Sequence, residues 1–103
     1  MLEKTLKLTR LLDLYGDTLT DKQKEAMDLY YNCDMSLSEV GEELGVSRQG
    51  VRDTLTRATA TLLELEEKIG YFKTLSELKK DILKAMECKD YSAIVKIADD
   101  IEV

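Results

Sequence analysis

Apolar positions recur at helical spacing along nearly the whole chain, and small polar residues mark where each run stops and the next starts. In residues 2–15, Leu8, Leu11, Leu12 and Tyr15 share one face, and Leu2, Leu6 and Leu14 widen it. Gly16 follows as a predicted C-cap. Thr20, with Gln23 three residues on, has the spacing of a capping box. The helix it opens is predicted to run to about Tyr31, with Ala26, Met27, Tyr30 and Tyr31 inward. Tyrosines could stack on bases, but on an apolar stripe these two are read as core. Asn32, Cys33 and Asp34 predict a short turn.

The stretch from Met35 to Ile69 organises the rest. Ser36 and Glu39 form a second capping-box pair, and Met35 and Val40 have staple spacing. Leu37, Val40 and Leu44 lie on one face, and Gly45 then supplies a residue that can turn left-handed at no steric cost. Ser47 is the predicted N-cap of the next helix. Only Gly45 and Val46 separate Leu44 from Ser47, so the two helices must turn sharply, and Gly41 removes bulk where they cross. This is the grammar of a helix-turn-helix, which serves either a DNA reader or the scaffold of a helical adaptor. Beyond Ser47, Val51, Leu55, Ala58, Leu62, Leu65 and Ile69 are spaced four, three, four, three, four. That seven-residue repeat is a coiled-coil seam or a face packed on the chain's own helices. Val40, Leu44, Val46, Val51, Leu55 and Leu62 are the expected core.

Past a break at Gly70–Lys73, Thr74 and Glu77 predict another capped helix, with Leu75, Leu78, Ile82 and Met86 as its stripe and Leu83 beside it. Asp90 is placed to cap a last helix carrying Tyr91, Ile94, Val95, Ala98 and Ile101. Lys79, Lys80 and Lys84 make a small basic patch. The pattern predicts one all-α domain over 1–103: an N-terminal helix in 1–18, a helix-turn-helix core in 19–69 and a C-terminal helical hairpin in 70–103.

Composition narrows the function. The chain has 103 residues, 44% of them hydrophobic and 35% charged, and no proline, which suits helices throughout. No apolar run is long enough to cross a bilayer and the amino terminus does not read as a signal peptide, so a cytoplasmic protein without membrane insertion is expected. Without histidine the commonest general base is missing, and no nucleophile–base set or phosphate-cradling glycine loop is present. The chain is not expected to be an enzyme or to hold a cofactor. Cys33 and Cys88 alone cannot supply the four ligands of a structural zinc site and are read as reduced thiols, with a disulfide as the alternative only if the fold brings them together. The net charge of −6 gives no general pull toward phosphate. Locally the balance reverses: Arg48, Arg52 and Arg57 face only one acid, Asp53, between them. The amino end of the long helix is therefore the place fit to meet a nucleic acid.

The block LTDKQKEAMDLYYNCDMSLSEVGEELGVSRQGVRDTLTRA resembles region four of bacterial sigma factors, in which a helix precedes a promoter-contacting helix-turn-helix. With the leucine-rich start, the ATLLELEEKIGYF segment and the helical tail, the chain is similar to the YlxM family over nearly its full length. That resemblance implies a small all-helical cytoplasmic DNA-binding regulator, linked to the signal recognition particle because its gene commonly neighbours that of the particle's GTPase. It implies that Ser47, Arg48, Gln49 and Arg52 begin the DNA-facing helix, and Thr56 one turn further on joins them as a candidate contact. Asp53, Thr54 and Thr56 stand where sigma-type helices carry more basic residues, and Gly50 where a larger polar one is usual. Two function classes follow. One is a regulator binding DNA or particle RNA weakly and with steep salt dependence, as a homodimer joined through the first helix or the 51–69 stripe. The other is a protein-binding adaptor of the targeting machinery, with the particle's GTPase as partner.

Overall fold

The computed structural model describes residues 6–101, and the expected contribution of Leu2 lies outside them. Six α-helices and no strand are present among the described residues: α1 Leu6–Tyr15, α2 Asp21–Met27, α3 Leu37–Leu44, α4 Arg48–Ile69, α5 Tyr71–Glu87 and α6 Tyr91–Asp100. The chain divides at Gly70 into two compact units. α1 to α4 belong to the first and α5 with α6 to the second.

In the first unit α1, α2 and α3 all pack on α4. Val51, Leu55, Ala58 and Leu62 of α4 are buried against Leu11, Leu12, Tyr15, Leu19, Ala26, Met27, Tyr31 and Val40. The seven-residue seam is thus consumed by the chain's own core. Leu65, further along it, is half-buried and Ile69 is 47% exposed. Near that end the Tyr15 hydroxyl donates to Glu66 Oε1 at 2.9 Å, joining α1 to the end of α4.

Two of the three predicted capping boxes form. Thr20 Oγ1 accepts from the Gln23 N–H while Gln23 Oε1 accepts from the Thr20 N–H. Ser36 and Glu39 make the same reciprocal pair. Four local expectations are corrected. Gly16 does not end α1 in a left-handed cap but starts a 3₁₀ turn, Gly16–Thr18, closed by the Leu19 N–H on the Gly16 carbonyl. The second helix loses α geometry after Met27 and widens into a π segment, Asp28–Asn32, with the Cys33 N–H reaching back to the Asp28 carbonyl at 3.0 Å. That wider turn carries Tyr31 inward and leaves Tyr30 half-buried. Leu44 and Val46, both expected core, are half-buried, because they edge the turn rather than underlie it. Thr74 caps nothing: α5 begins at Tyr71, directly after Gly70 ends α4 at φ 73°.

In the second unit α5 and α6 pack on each other, with the Asp90 side chain accepting from the Ala93 N–H at 3.0 Å. Of its described residues only Ala85 is buried, while Leu78, Ile82, Ile94 and Ile97 are half-buried. A single pair of helices has too few side chains to enclose a core.

Candidate nucleic-acid interface

The site is the start of α4 and the turn that leads into it. Gly45 takes φ 70° and its N–H bonds back to the Gly41 carbonyl, ending α3 in a left-handed cap. The Val46 N–H bonds to the same carbonyl at 2.9 Å. A Cβ on Gly41 would lie 2.7 Å from the Val46 carbonyl oxygen, so only glycine lets the turn fold this close to α3. Ser47 Oγ then accepts from the Gly50 N–H at 2.9 Å and starts α4. Local sequence chemistry thus sets where the first turns of α4 begin.

Arg48, Gln49 and Arg52 come together with Leu37 of α3 around a shallow groove of about 300 Å³. Neither arginine is held in an ion pair among the described residues. The groove therefore offers two unclaimed guanidinium forks beside a helix amino terminus, whose backbone dipoles favour an anion. The other two candidates have different duties. The Ser47 oxygen is engaged as the cap. Thr56 is exposed one turn along, outside the groove, with its hydroxyl donating to the Arg52 carbonyl at 2.8 Å.

Two features escape a reading of the sequence by residue type alone. Asp53 is more than an intruding acid: its Oδ1 accepts from the Gln49 side-chain amide at 3.0 Å. The i, i+4 spacing of Gln49 and Asp53 carries that signal. The bond leaves Gln49 one amide hydrogen and its oxygen to present outward, which is the pair of groups that reads adenine. Arg57 lines a second groove, of about 330 Å³, with Thr20, Lys22, Gln23, Asp53 and Thr54. Cys33 and Cys88 are free and exposed. No cluster of metal-ligating side chains occurs among the described residues, and no helix there is long and apolar enough to cross a membrane.

A capped helix, a two-residue glycine turn and a long second helix with its amino end exposed define a helix-turn-helix protein. The chain belongs to the UPF0122 family, whose description is "Putative helix-turn-helix protein, YlxM / p13 like" and whose model matches residues 2–102. Similar proteins include a UPF0122 protein of Caldanaerobacter subterraneus subsp. tengcongensis, 49% identical over 83 residues, covering 81% of this chain and 71% of that protein. One from Halalkalibacterium halodurans is 38% identical across 99% of this chain and 100% of its own length. One from Bacillus licheniformis is 49% identical across 77% of this chain and 74% of its own length.

Proposed function

We propose that this protein is a nucleic-acid-binding regulator that presents the amino-terminal turns of α4 to a duplex, acting in the signal recognition particle pathway. The observation that carries the reading is the groove where Arg48, Gln49 and Arg52 converge with both arginines unpaired. Arginine can pair two donors with guanine edges and glutamine can pair with adenine. The resemblance to YlxM supports the pathway. The net charge of −6 opposes phosphate at long range, so affinity is modest, and each phosphate met by a cationic side chain makes it fall with salt. A homodimer belongs to this reading, since paired recognition helices sit about 34 Å apart on one side of DNA. Its contact has to avoid the part of the α4 seam already buried in the chain.

A second reading has its own observation. Leu75, Leu83, Met86, Tyr91 and Val95 are all more than half exposed on the α5–α6 hairpin. Exposed apolar residues on one helical pair suit a protein partner, which favours an adaptor contacting the particle's GTPase. Titrating the full chain against a random DNA duplex, the particle RNA and the GTPase, each at several salt concentrations, separates the two. Saturable, salt-sensitive binding to nucleic acid is expected. Binding to the GTPase alone would replace the first reading with the second.

A further inference from the structure

We infer that Lys22 and Arg57 form a phosphate-binding site that holds one strand of a DNA duplex on the flank of α4 away from the Arg48–Arg52 face. The inference rests on the proposed nucleic-acid reading and extends it to a surface on α2.

The geometry starts with α4. At 3.6 residues per turn, Arg57 lies ~140° round the helix from Arg52 and ~7.5 Å further along it. Arg52 therefore belongs to the groove shared with α3, and Arg57 to the groove shared with α2. Lys22 comes from the first turn of α2 into that second groove.

The oxygens of the other polar side chains in the groove are already engaged inside the protein. The Thr20 hydroxyl and the Gln23 amide oxygen make the capping box. The Thr54 hydroxyl donates to the Gly50 carbonyl at 2.9 Å. Asp53, the one acid present, accepts from Gln49. The Lys22 and Arg57 side chains make no hydrogen bond or ion pair among the described residues; Arg57 is engaged only through its carbonyl, which accepts from the Thr61 hydroxyl at 3.1 Å. Two unpaired cations from different helices, lining one groove, suit an anion with oxygens on several sides, and phosphate is such a group.

Duplex geometry says which phosphate. A helix with its side chains is about 10–12 Å across, and the major groove of B-DNA is about 12 Å wide. A helix lying in that groove has a phosphate strand on each flank, and α4 carries a cationic groove on each flank. A-form RNA has a major groove too deep and narrow for this arrangement, so the partner of the paired sites is DNA.

The test is the salt dependence of binding to a random-sequence DNA duplex by the full chain and by Lys22→Gln, Arg57→Gln and Lys96→Gln. Lys22 and Arg57 are exposed, so their exchange leaves the fold intact, and circular dichroism verifies it. Each of the first two is expected to lower the magnitude of the log–log salt slope by about 0.9. Each should also weaken binding by the same factor on a random duplex and on one enriched by selection. Lys96 on α6 lines neither groove, and its exchange should leave the slope at the wild-type value. Slopes for Lys22→Gln and Arg57→Gln equal to wild type would overturn the second site and leave the Arg48–Arg52 face standing. A wild-type chain that binds no duplex would overturn both.

Discussion

Replacing Gly41 by Ala tests the close crossing on which the orientation of α4 depends. A Cβ there meets the Val46 carbonyl oxygen at 2.7 Å, and the Ser47 carbonyl carbon and Arg48 nitrogen at 3.6 Å. All three are backbone atoms of the turn, which is tied to Gly41 by the Val46 N–H bond at 2.9 Å. The turn cannot retreat without stretching that bond. Gly50 provides the control. A Cβ there meets only side-chain atoms, Ser47 Oγ at 3.2 Å and Val46 Cβ at 3.8 Å. Either exchange gains up to about 1 kcal/mol of helix propensity. Crowding at Gly41 costs about 1–3 kcal/mol. The propensity gain is common to both, so Gly41→Ala should be about 1–3 kcal/mol less stable than Gly50→Ala. Urea unfolding followed by circular dichroism reads the difference if the slope m is unchanged. Amide exchange at Val51 and Leu55 confines the reading to the first unit. Equal stability of the two variants would show that Gly41 is not pressed against the turn.

Leu55 and Leu62 are fully buried, and truncating either to Ala should cost about 2–5 kcal/mol, whereas Leu44→Ala, at a half-buried site, should cost less in the same urea series. Tyr31 is buried with its hydroxyl unpartnered among the described residues, and burial raises its pKa above the ordinary tyrosine value. The folded state therefore holds that proton to higher pH than the unfolded state. The resulting stability is complete below the unfolded pKa of about 10 and declines as pH rises through the folded value. Tyr31→Phe should flatten the loss of stability above that pH and be nearly neutral at pH 7, and parallel alkaline unfolding curves would contradict this. Light scattering at micromolar concentration should give the mass of two chains, and a monomer mass would end the homodimer proposal.

The caps were legible because each depends on two or three adjacent residues: Thr20 with Gln23, Ser36 with Glu39, Ser47 before α4, Asp90 before α6. The α4 seam was legible as a period, though not its destination, since a seven-residue repeat is the same whether the chain or a partner covers it. The π segment at Asp28–Asn32 was not legible, because its residues suit an α-helix equally well. Thr74 misled because a capping box read from spacing alone ignores that Gly70 had already ended α4, leaving Tyr71 free to start α5. At the candidate site the residue types pointed to Arg48, Gln49 and Arg52 together. They did not single out Lys22 or pair it with Arg57, since the two meet only once α2 lies on α4.

The most direct test of the central claim is the affinity of wild type and Arg52→Ala for a duplex enriched by selection and for a random duplex, measured by anisotropy at low salt. If the α4 face reads bases, Arg52→Ala should lose about 1–3 kcal/mol on the enriched duplex and less on the random one. Equal losses on both, with a shallower salt slope, would mean that Arg52 touches phosphate alone. No measurable binding of the wild type to either duplex or to the particle RNA, beside an intact complex with the particle's GTPase, would contradict nucleic-acid recognition and leave the helix-turn-helix as a scaffold.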